Sequence, residues 1–391
     1  MNQIKANFTD DKFSRGVEKI YPSKESLDDF LQAGHKLDIY FGIDPTGPVL
    51  HIGHGSVLLK LKELQDDGHN IIILFGDFTA TIGDPTGKLA PRVKLTEDKI
   101  KANYKNYKNQ IGQILDLNKV TFKFNSEWLS KMTLTEVIDL ASEFTTAQIL
   151  ERDMFQERIK KGEPIFVHEF LYPLMQGYDS VEMAVNAEIG ANDQTFNMLC
   201  GRTMLKRRNK EKFVIATKLL TDGSGKKMGK TEGNMVTLED SPADMYGKVM
   251  SWSDDMMPLG FEICTRISVL TVKDILAGNP KDAKMILAKE IVSIFIGSKQ
   301  AEEAEQDFVK KFSHKEIPDK IEEIKVKEGD LLKNILVDHK IIASKLEFKR
   351  LIESGAISNI ETKTKITDLN QKIEGDILLK IGKKSFIKLV L

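Results

Sequence analysis

Read as a succession of apolar and polar positions, residues 37–78 carry the clearest rhythm in the chain. Leu37-Asp38-Ile39-Tyr40-Phe41-Gly42-Ile43 is rich in β-formers and runs into Asp44-Pro45-Thr46-Gly47-Pro48, a dense turn signal. Val57, Leu58, Leu61 and Leu64 then recur at three- and four-residue steps, which predicts a helix closed by Gly68. A second apolar strand follows from Asn70 to Phe75. Strand, helix and strand in that order imply two parallel strands joined by a right-handed crossover. More material of this kind is expected in an apolar stretch from Val181 to Ala187, a loop at Gly190 and a strand Phe213-Val214-Ile215-Ala216. The fold class is therefore α/β, with a sheet covering roughly residues 30–225.

Beyond residue 238 the pattern changes. Leu287, Ile291 and Ile294 fall at steps of four and three, and Ala288, Val292 and Phe295 widen that apolar face. Ala301 to Phe308, rich in Glu, reads as a solvated helix. An all-helical domain is expected to about residue 325, and residues 310–329, with His314, Pro318 and alternating charges, read as a linker. The last segment, 330–391, predicts two short helices (Leu331–Val337 and Lys345–Ser354), then Gly355 and β-type stretches Asp376–Ile381 and Phe386–Val390. It contains the makings of a small α+β domain.

Composition adds limits. At about 150 residues per domain, 391 residues make two or three domains. A chain 41% hydrophobic and 29% charged suits a soluble protein with a real core. The net charge of −1 argues against a polybasic nucleic-acid coat, though a local basic face fits within a neutral sum. Such faces exist: basic residues exceed acidic ones by four in 330–391, and Lys206-Arg207-Arg208-Asn209-Lys210 is a compact basic run. Two cysteines exclude a disulfide framework or a zinc site built mainly of thiolates. The first residues lack an apolar signal core, Asp10 and Asp11 disfavour an organelle transit peptide, and runs such as Ile71–Phe75 are far short of the roughly 20 residues that span a bilayer. The expected setting is the cytoplasm, with no membrane partner.

Two stretches carry chemistry. His51-Ile52-Gly53-His54 falls where the first strand gives way to the first helix, at the end of a parallel strand where ligands find a crevice. A helix N-terminus there presents free N–H groups to an anion, Gly53 lets a flat ligand approach the backbone, and two imidazoles offer donors to phosphate. By themselves two near histidines also suit a metal pair or an ordinary surface, although no His-Glu-x-x-His pattern accompanies them. The second stretch is Gly223-Ser224-Gly225-Lys226-Lys227-Met228-Gly229-Lys230-Thr231. Its glycines give freedom and its lysines can clamp an anion. It is not a Walker A loop, because Ser224 stands where the first glycine is required.

Together these two signatures resemble those of class I aminoacyl-tRNA synthetases. Tyr40-Phe41-Gly42-Ile43-Asp44-Pro45-Thr46, Phe170 to Asp179 and Gly190-Ala191-Asn192-Asp193-Gln194 narrow the likeness to bacterial-type tyrosyl-tRNA synthetase. The likeness runs nearly the whole length, with Ser344 to Ile357 similar to the core of an S4 RNA-binding domain. It implies a Rossmann-type, doubly wound parallel sheet in a catalytic domain (1–235), then an all-helical anticodon-binding domain (236–325) and an S4-like RNA-binding domain (330–391). It also implies roles. Tyr40 and Asp179 would meet the phenol hydroxyl of tyrosine. Thr79, Asp84, Tyr172 and Gln176 would surround its ammonium group, and Gln194 its carboxylate end. Asp44, Thr46, His51, Gly53, His54, Gly190, Asp193, Met228 and Lys230 would hold ATP. Lys88, Arg92, Lys227, Lys230 and Thr231, with the two histidines, would stabilise the departing pyrophosphate. Mg2+ would arrive on the ATP phosphates, with no metal held by the protein. The implied partners are L-tyrosine, ATP, tRNA(Tyr) and a second copy of the chain, and no DNA.

The chain departs from the pattern at Ala191, where many relatives have a second glycine, at Thr195-Phe196, which lacks a tryptophan, and at Gly229, often serine. Three rivals stand beside this reading. Tryptophanyl-tRNA synthetase shares the class architecture, but Tyr40, the Tyr172/Gln176/Asp179 cluster and the S4-like tail oppose it. A His-x-Gly-His nucleotidyltransferase should be smaller and lack an RNA-binding tail. A non-catalytic RNA-binding descendant should have lost its histidines or lysines.

Overall fold

The computed structural model describes residues 11–84, 96–221, 235–313, 322–339, 341–360, 362, 364–382 and 385–391. The strands predicted at 37–43, 70–75 and 213–216 join three others in a six-stranded sheet. In chain order its strands are β1 (Val17–Tyr21), β2 (Asp38–Ile43), β3 (Asn70–Phe75), β4 (Val120–Phe124), β5 (Ala187–Ala191) and β6 (Phe213–Thr217). Their spatial order is β1-β6-β5-β2-β3-β4. The β2–β3, β3–β4, β2–β5 and β5–β6 pairs are parallel, and β1 closes the β6 edge antiparallel. The order runs outward from β2 in both directions, so the sheet is doubly wound and its switch point lies between β2 and β5. A crevice opens at the carboxyl ends of strands at such a point. Ile39, Tyr40, Phe41 and Ile43 are all buried, as a strand covered on both faces requires.

The helix predicted after β2 spans Ile52–Asp66 and buries Val57, Leu58, Leu61 and Leu64, and Gly68 ends it with φ +79°. Four features differ from expectation. β1 and β4 were not anticipated: each is short and lacks a long apolar run. Val181 lies in the helix Val167–Glu182, and only Ala187 of the expected stretch reaches a strand. Gly190 is not a loop residue but pairs with Ala216 inside the sheet.

The described chain divides into two compact units, one up to Gln306 and one from Asp307 onward. After the sheet the first unit is helical: Pro242–Met250, Met257–Cys264, Val269–Leu276, Pro280–Phe295 and the helix beginning at Ser298. Leu287, Ala288, Ile291, Val292 and Phe295 are buried as their spacing predicts. Phe295 packs against Gly55, where a Cβ would stand 2.8 Å from its ring, so this helix sits directly on Ile52–Asp66. The helix read as solvated buries a seam at Ala301 and Ala304.

The second unit is a four-stranded sheet of order β7-β10-β9-β8, formed by β7 (Glu322–Lys325), β8 (Ile357–Asn359), β9 (Ile377–Ile381) and β10 (Ser385–Val390). Helices Leu332–Asp338 and Lys345–Glu353 accompany it, around a core including Leu332, Leu336, Phe348, Ile357, Leu379 and Leu389. The linker reading of 310–329 fails at β7, whose Glu322–Lys325 pairs in parallel with Ile387–Val390. Of the charges in 310–329, Glu322, Glu323 and Lys325 belong to an edge strand, where charges protect a sheet, and Lys310 and Lys311 to the helix ending at Ser313, whereas His314 and Pro318 lie outside the described residues.

Candidate active site

One cavity of about 310 Å³ opens at the switch point. Its wall includes Tyr40, Asp44, Thr46, His51, Gly53, His54, Thr79, Asp84, Tyr172, Gln176, Asp179, Gly190, Asp193 and Gln194. Those are fourteen of the twenty residues singled out in the sequence, drawn together from segments far apart in the chain. The other six, Lys88, Arg92, Lys227, Met228, Lys230 and Thr231, lie outside the described residues. The described chain on either side of 222–234 does reach the cavity: Leu219 and Leu220 line it before that segment, and Met235 and Val236 after it.

At the mouth, His51 caps the helix Ile52–Asp66 with extended backbone. Its Nδ1 accepts from Gly53 N–H at 3.1 Å, and His54 Nδ1 accepts from His51 N–H at 3.2 Å. An imidazole whose Nδ1 accepts carries its proton on Nε2, so both rings keep an Nε2–H donor. The rings are tilted by 41° to one another, with centroids 3.9 Å apart. A Cβ at position 53 would lie 2.9 Å from His51 Cε1, so Gly53 is needed for this ring placement as well as for ligand approach. One expectation is corrected here. The first helical N–H groups are not free for an anion: Ile52 N donates to Val236 O at 2.9 Å, Gly53 N to His51, and His54 N to His51 O at 2.8 Å. The segment after 234 pairs with this turn through the His51–Thr237 bridge and caps the helix, which leaves the imidazoles as the donors.

The deep end is a web of buried polar groups. Asp44 accepts from Tyr172 Oη at 2.8 Å and from Thr79 Oγ1 at 2.7 Å. Gly76 permits this approach, since a Cβ there would lie 2.0 Å from Asp44 Oδ1 and 2.4 Å from Thr79 Oγ1. Asp44 thus stands with the residues expected at the amino acid's ammonium group. Asp84 is bonded by Arg152 at 2.9 Å and by Gln194 at 2.8 Å. Asp179 is 2% exposed and accepts from Trp128 Nε1 at 2.8 Å and Asn125 Nδ2 at 3.2 Å. Burial pushes its carboxyl well above the usual carboxylate range, Glu188 and Asp44 add to that, and the Trp128 and Asn125 donors pull the other way. Burial, with Glu188 and Asp179 nearby, likewise raises the Tyr40 phenol, whose Oη lies 2.9 Å from Ser180 Oγ.

The partners of this web that were missed include Asn125, Trp128, Arg152, Ser180, Glu188 and Lys212. Asn125 and Glu188 line the cavity themselves. The available signal was a charge inside an apolar strand, Glu188 in Ala-Glu-Ile-Gly-Ala and Lys212 directly before Phe-Val-Ile-Ala. Asn125 and Trp128 follow β4, an unanticipated strand, and had no such signal.

Fold and cavity together define a class. A family model described as tRNA synthetases class I (W and Y) matches residues 32–313. Within that class its relatives include tyrosine–tRNA ligases. The chain is 41% identical to the tyrosine–tRNA ligase of Carboxydothermus hydrogenoformans, over 96% of both chains. It is 40% identical to that of Francisella tularensis, over 96% of this chain and 97% of the other. Among solved structures, a C-terminally truncated mitochondrial tyrosyl-tRNA synthetase of Coccidioides posadasii aligns with a TM-score of 0.62 at 26% identity, over 78% of this chain and 93% of that one. The chain belongs to the bacterial-type tyrosyl-tRNA synthetases.

Proposed function

We propose that the cavity activates L-tyrosine with ATP and then transfers it to the 3′ end of tRNA(Tyr). The observation that carries this reading is the polarity of one cavity: imidazole donors at its mouth and a buried carboxylate–phenol pair at its deep end. In the first step the tyrosine carboxylate attacks the α-phosphorus of Mg-ATP, forming tyrosyl-adenylate and releasing pyrophosphate. In the second, a terminal ribose hydroxyl of the tRNA attacks the adenylate carbonyl and AMP leaves. No protein nucleophile is required, so the chain contributes positioning and charge stabilisation.

Tyr40 and Asp179 take the phenol hydroxyl, one as donor and one as acceptor. Asp44, Thr79, Tyr172 and Gln176 offer oxygens to the ammonium group, with Asp84 behind them, and Gln194 faces the carboxylate. Gly190 and Asp193 take the ribose, and Thr46 lies toward the γ-phosphate. His51 and His54 donate through Nε2–H to phosphate oxygens, and these bonds strengthen as charge builds in the transition state. Lys88, Arg92, Lys227, Lys230 and Thr231, with the Met228 backbone, neutralise the pyrophosphate. Replacing Lys230 by Ala is expected to slow adenylate formation far more than it weakens tyrosine binding.

The helices between Pro242 and Gln306 and the unit ending at Leu391 serve tRNA, the latter through its excess of basic residues. The chain works as a homodimer in the cytoplasm. Supporting the dimer, Leu134, Ile138, Phe166 and Val167 are exposed on the neighbouring helices that begin at Leu134 and Val167 and on the residue before the second. No described helix is long and apolar enough to cross a membrane. Exchange of pyrophosphate into ATP, run with tyrosine, tryptophan and phenylalanine, tests the assignment. A signal with tyrosine alone supports it, and a tryptophan signal replaces it with the sister enzyme.

A further inference from the structure

A buried cation lies beneath the cavity floor and has no part in the chemistry above. Lys212, the residue before β6, is 0% exposed. Its Nζ donates to Ser180 Oγ at 2.6 Å, to Met198 O at 3.1 Å and to Glu188 Oε2. Three acceptors match the three protons of an ammonium group. The helix Thr195–Arg207 leaves room for it at Gly201, where a Cβ would stand 2.6 Å from both Lys212 Nζ and Ser180 Oγ.

Glu188 is itself buried, projects from β5 and lines the cavity. Its second oxygen, Oε1, accepts from Gln176 Nε2 at 3.0 Å. A pair of charges in this position is weak evidence for stability, because desolvation offsets much of the attraction. Its consequence is directional. The carboxylate facing the ammonium group only accepts hydrogen bonds, so the Gln176 amide must turn its NH2 toward Glu188. That leaves Oε1, an acceptor, for the ligand. The opposite rotamer would present NH2 donors to an ammonium group and repel it.

We infer that Glu188, anchored by Lys212, is a positioning residue that sets the orientation of the Gln176 amide and thereby tyrosine affinity through the ammonium group. The inference rests on the tyrosine-activating reading given above. It assigns Glu188 and Lys212 no contact with ATP.

Glu188→Gln tests it, since an amide at 188 accepts either orientation of Gln176. In pyrophosphate exchange the KM for tyrosine should rise roughly 10- to 100-fold, the scale of one charge-assisted hydrogen bond, while the KM for ATP stays within about twofold. The discriminating readout is inhibition by 3-(4-hydroxyphenyl)propionate, which keeps the phenol and lacks the ammonium group. Its inhibition constant should change far less than the KM for tyrosine, with a small shift expected because Glu188 also faces the Tyr40 phenol. Equal weakening of tyrosine and this analogue, or no change in either, overturns the inference. Because Glu188→Gln leaves Lys212 buried without its partner, the double variant Glu188→Gln/Lys212→Met is measured as well. It removes both charges and should fold, while keeping the selective loss for tyrosine. Recovery of the wild-type tyrosine KM in the double variant also overturns the inference. Wild-type exchange with tyrosine is the control that separates the two readings: its absence would sink the tyrosine assignment itself.

Discussion

The two ends of the cavity are built in opposite ways. The mouth is local: His51, Gly53 and His54 lie within four residues, and the histidines bond the backbone of their own turn. The deep end is assembled from distant segments, with Tyr40 on β2, Asn125 after β4, Asp179 on the helix Val167–Glu182, Glu188 on β5 and Lys212 before β6. The mouth keeps its donors on exchangeable, partly exposed rings. In the deep end, carboxylates and amides already bond one another within the protein. A buried polar group without a partner costs far more than an exposed one, so the deep end must satisfy itself before a ligand arrives. The difference teaches that changes at the mouth should alter rate, while changes at the deep end should alter binding and stability together.

The largest effect should come from the mouth. Replacing both His51 and His54 by Ala is expected to lower kcat for pyrophosphate exchange by roughly a hundredfold to a thousandfold. Tyrosine binding, read by equilibrium dialysis, should change little; a parallel loss of binding would break the contrast between the ends. Next, Gly76→Ala drives a Cβ into Asp44 and Thr79. It should raise the KM for tyrosine more than tenfold and destabilise the fold by about 1–3 kcal/mol, read as a lower melting temperature. Gly53→Ala pushes on the His51 ring at the mouth. A slower exchange rate, by roughly tenfold, with an unchanged melting temperature is the expected result. A large drop in melting temperature would show that the mouth is structural too.

The smallest effect concerns the thiols. Burial pushes Cys200 and Cys264 up to about 12. At pH 8 only about one thiol in ten thousand is then ionised, so neither should react with a thiol reagent in the folded protein, whereas both should react after unfolding. Rapid native labelling of Cys200, on the helix Thr195–Arg207, would mean that the packing beside the deep end opens readily.

The sequence by itself determined whatever depends on neighbours along the chain. The apolar rhythm of 37–75 specified β2, its helix and β3, because side-chain period follows directly from local backbone geometry. The His51-Ile52-Gly53-His54 signature was legible as contiguous residue types, and the C-terminal unit showed its helices and its last two strands in the same way. Only the tertiary structure decided the rest. β1, β4 and β7 are short edge elements whose identity comes from the strand beside them, not from their own pattern. The capping of His51-Ile52-Gly53-His54 by Val236 joins residues nearly two hundred positions apart. That contact turned the expected backbone anion site into a pair of imidazole donors. The Lys212–Glu188–Gln176 chain was invisible for the same reason. A lone lysine or glutamate in an apolar strand signals that a buried charge exists, but its partner is chosen by which strands and helices pack together.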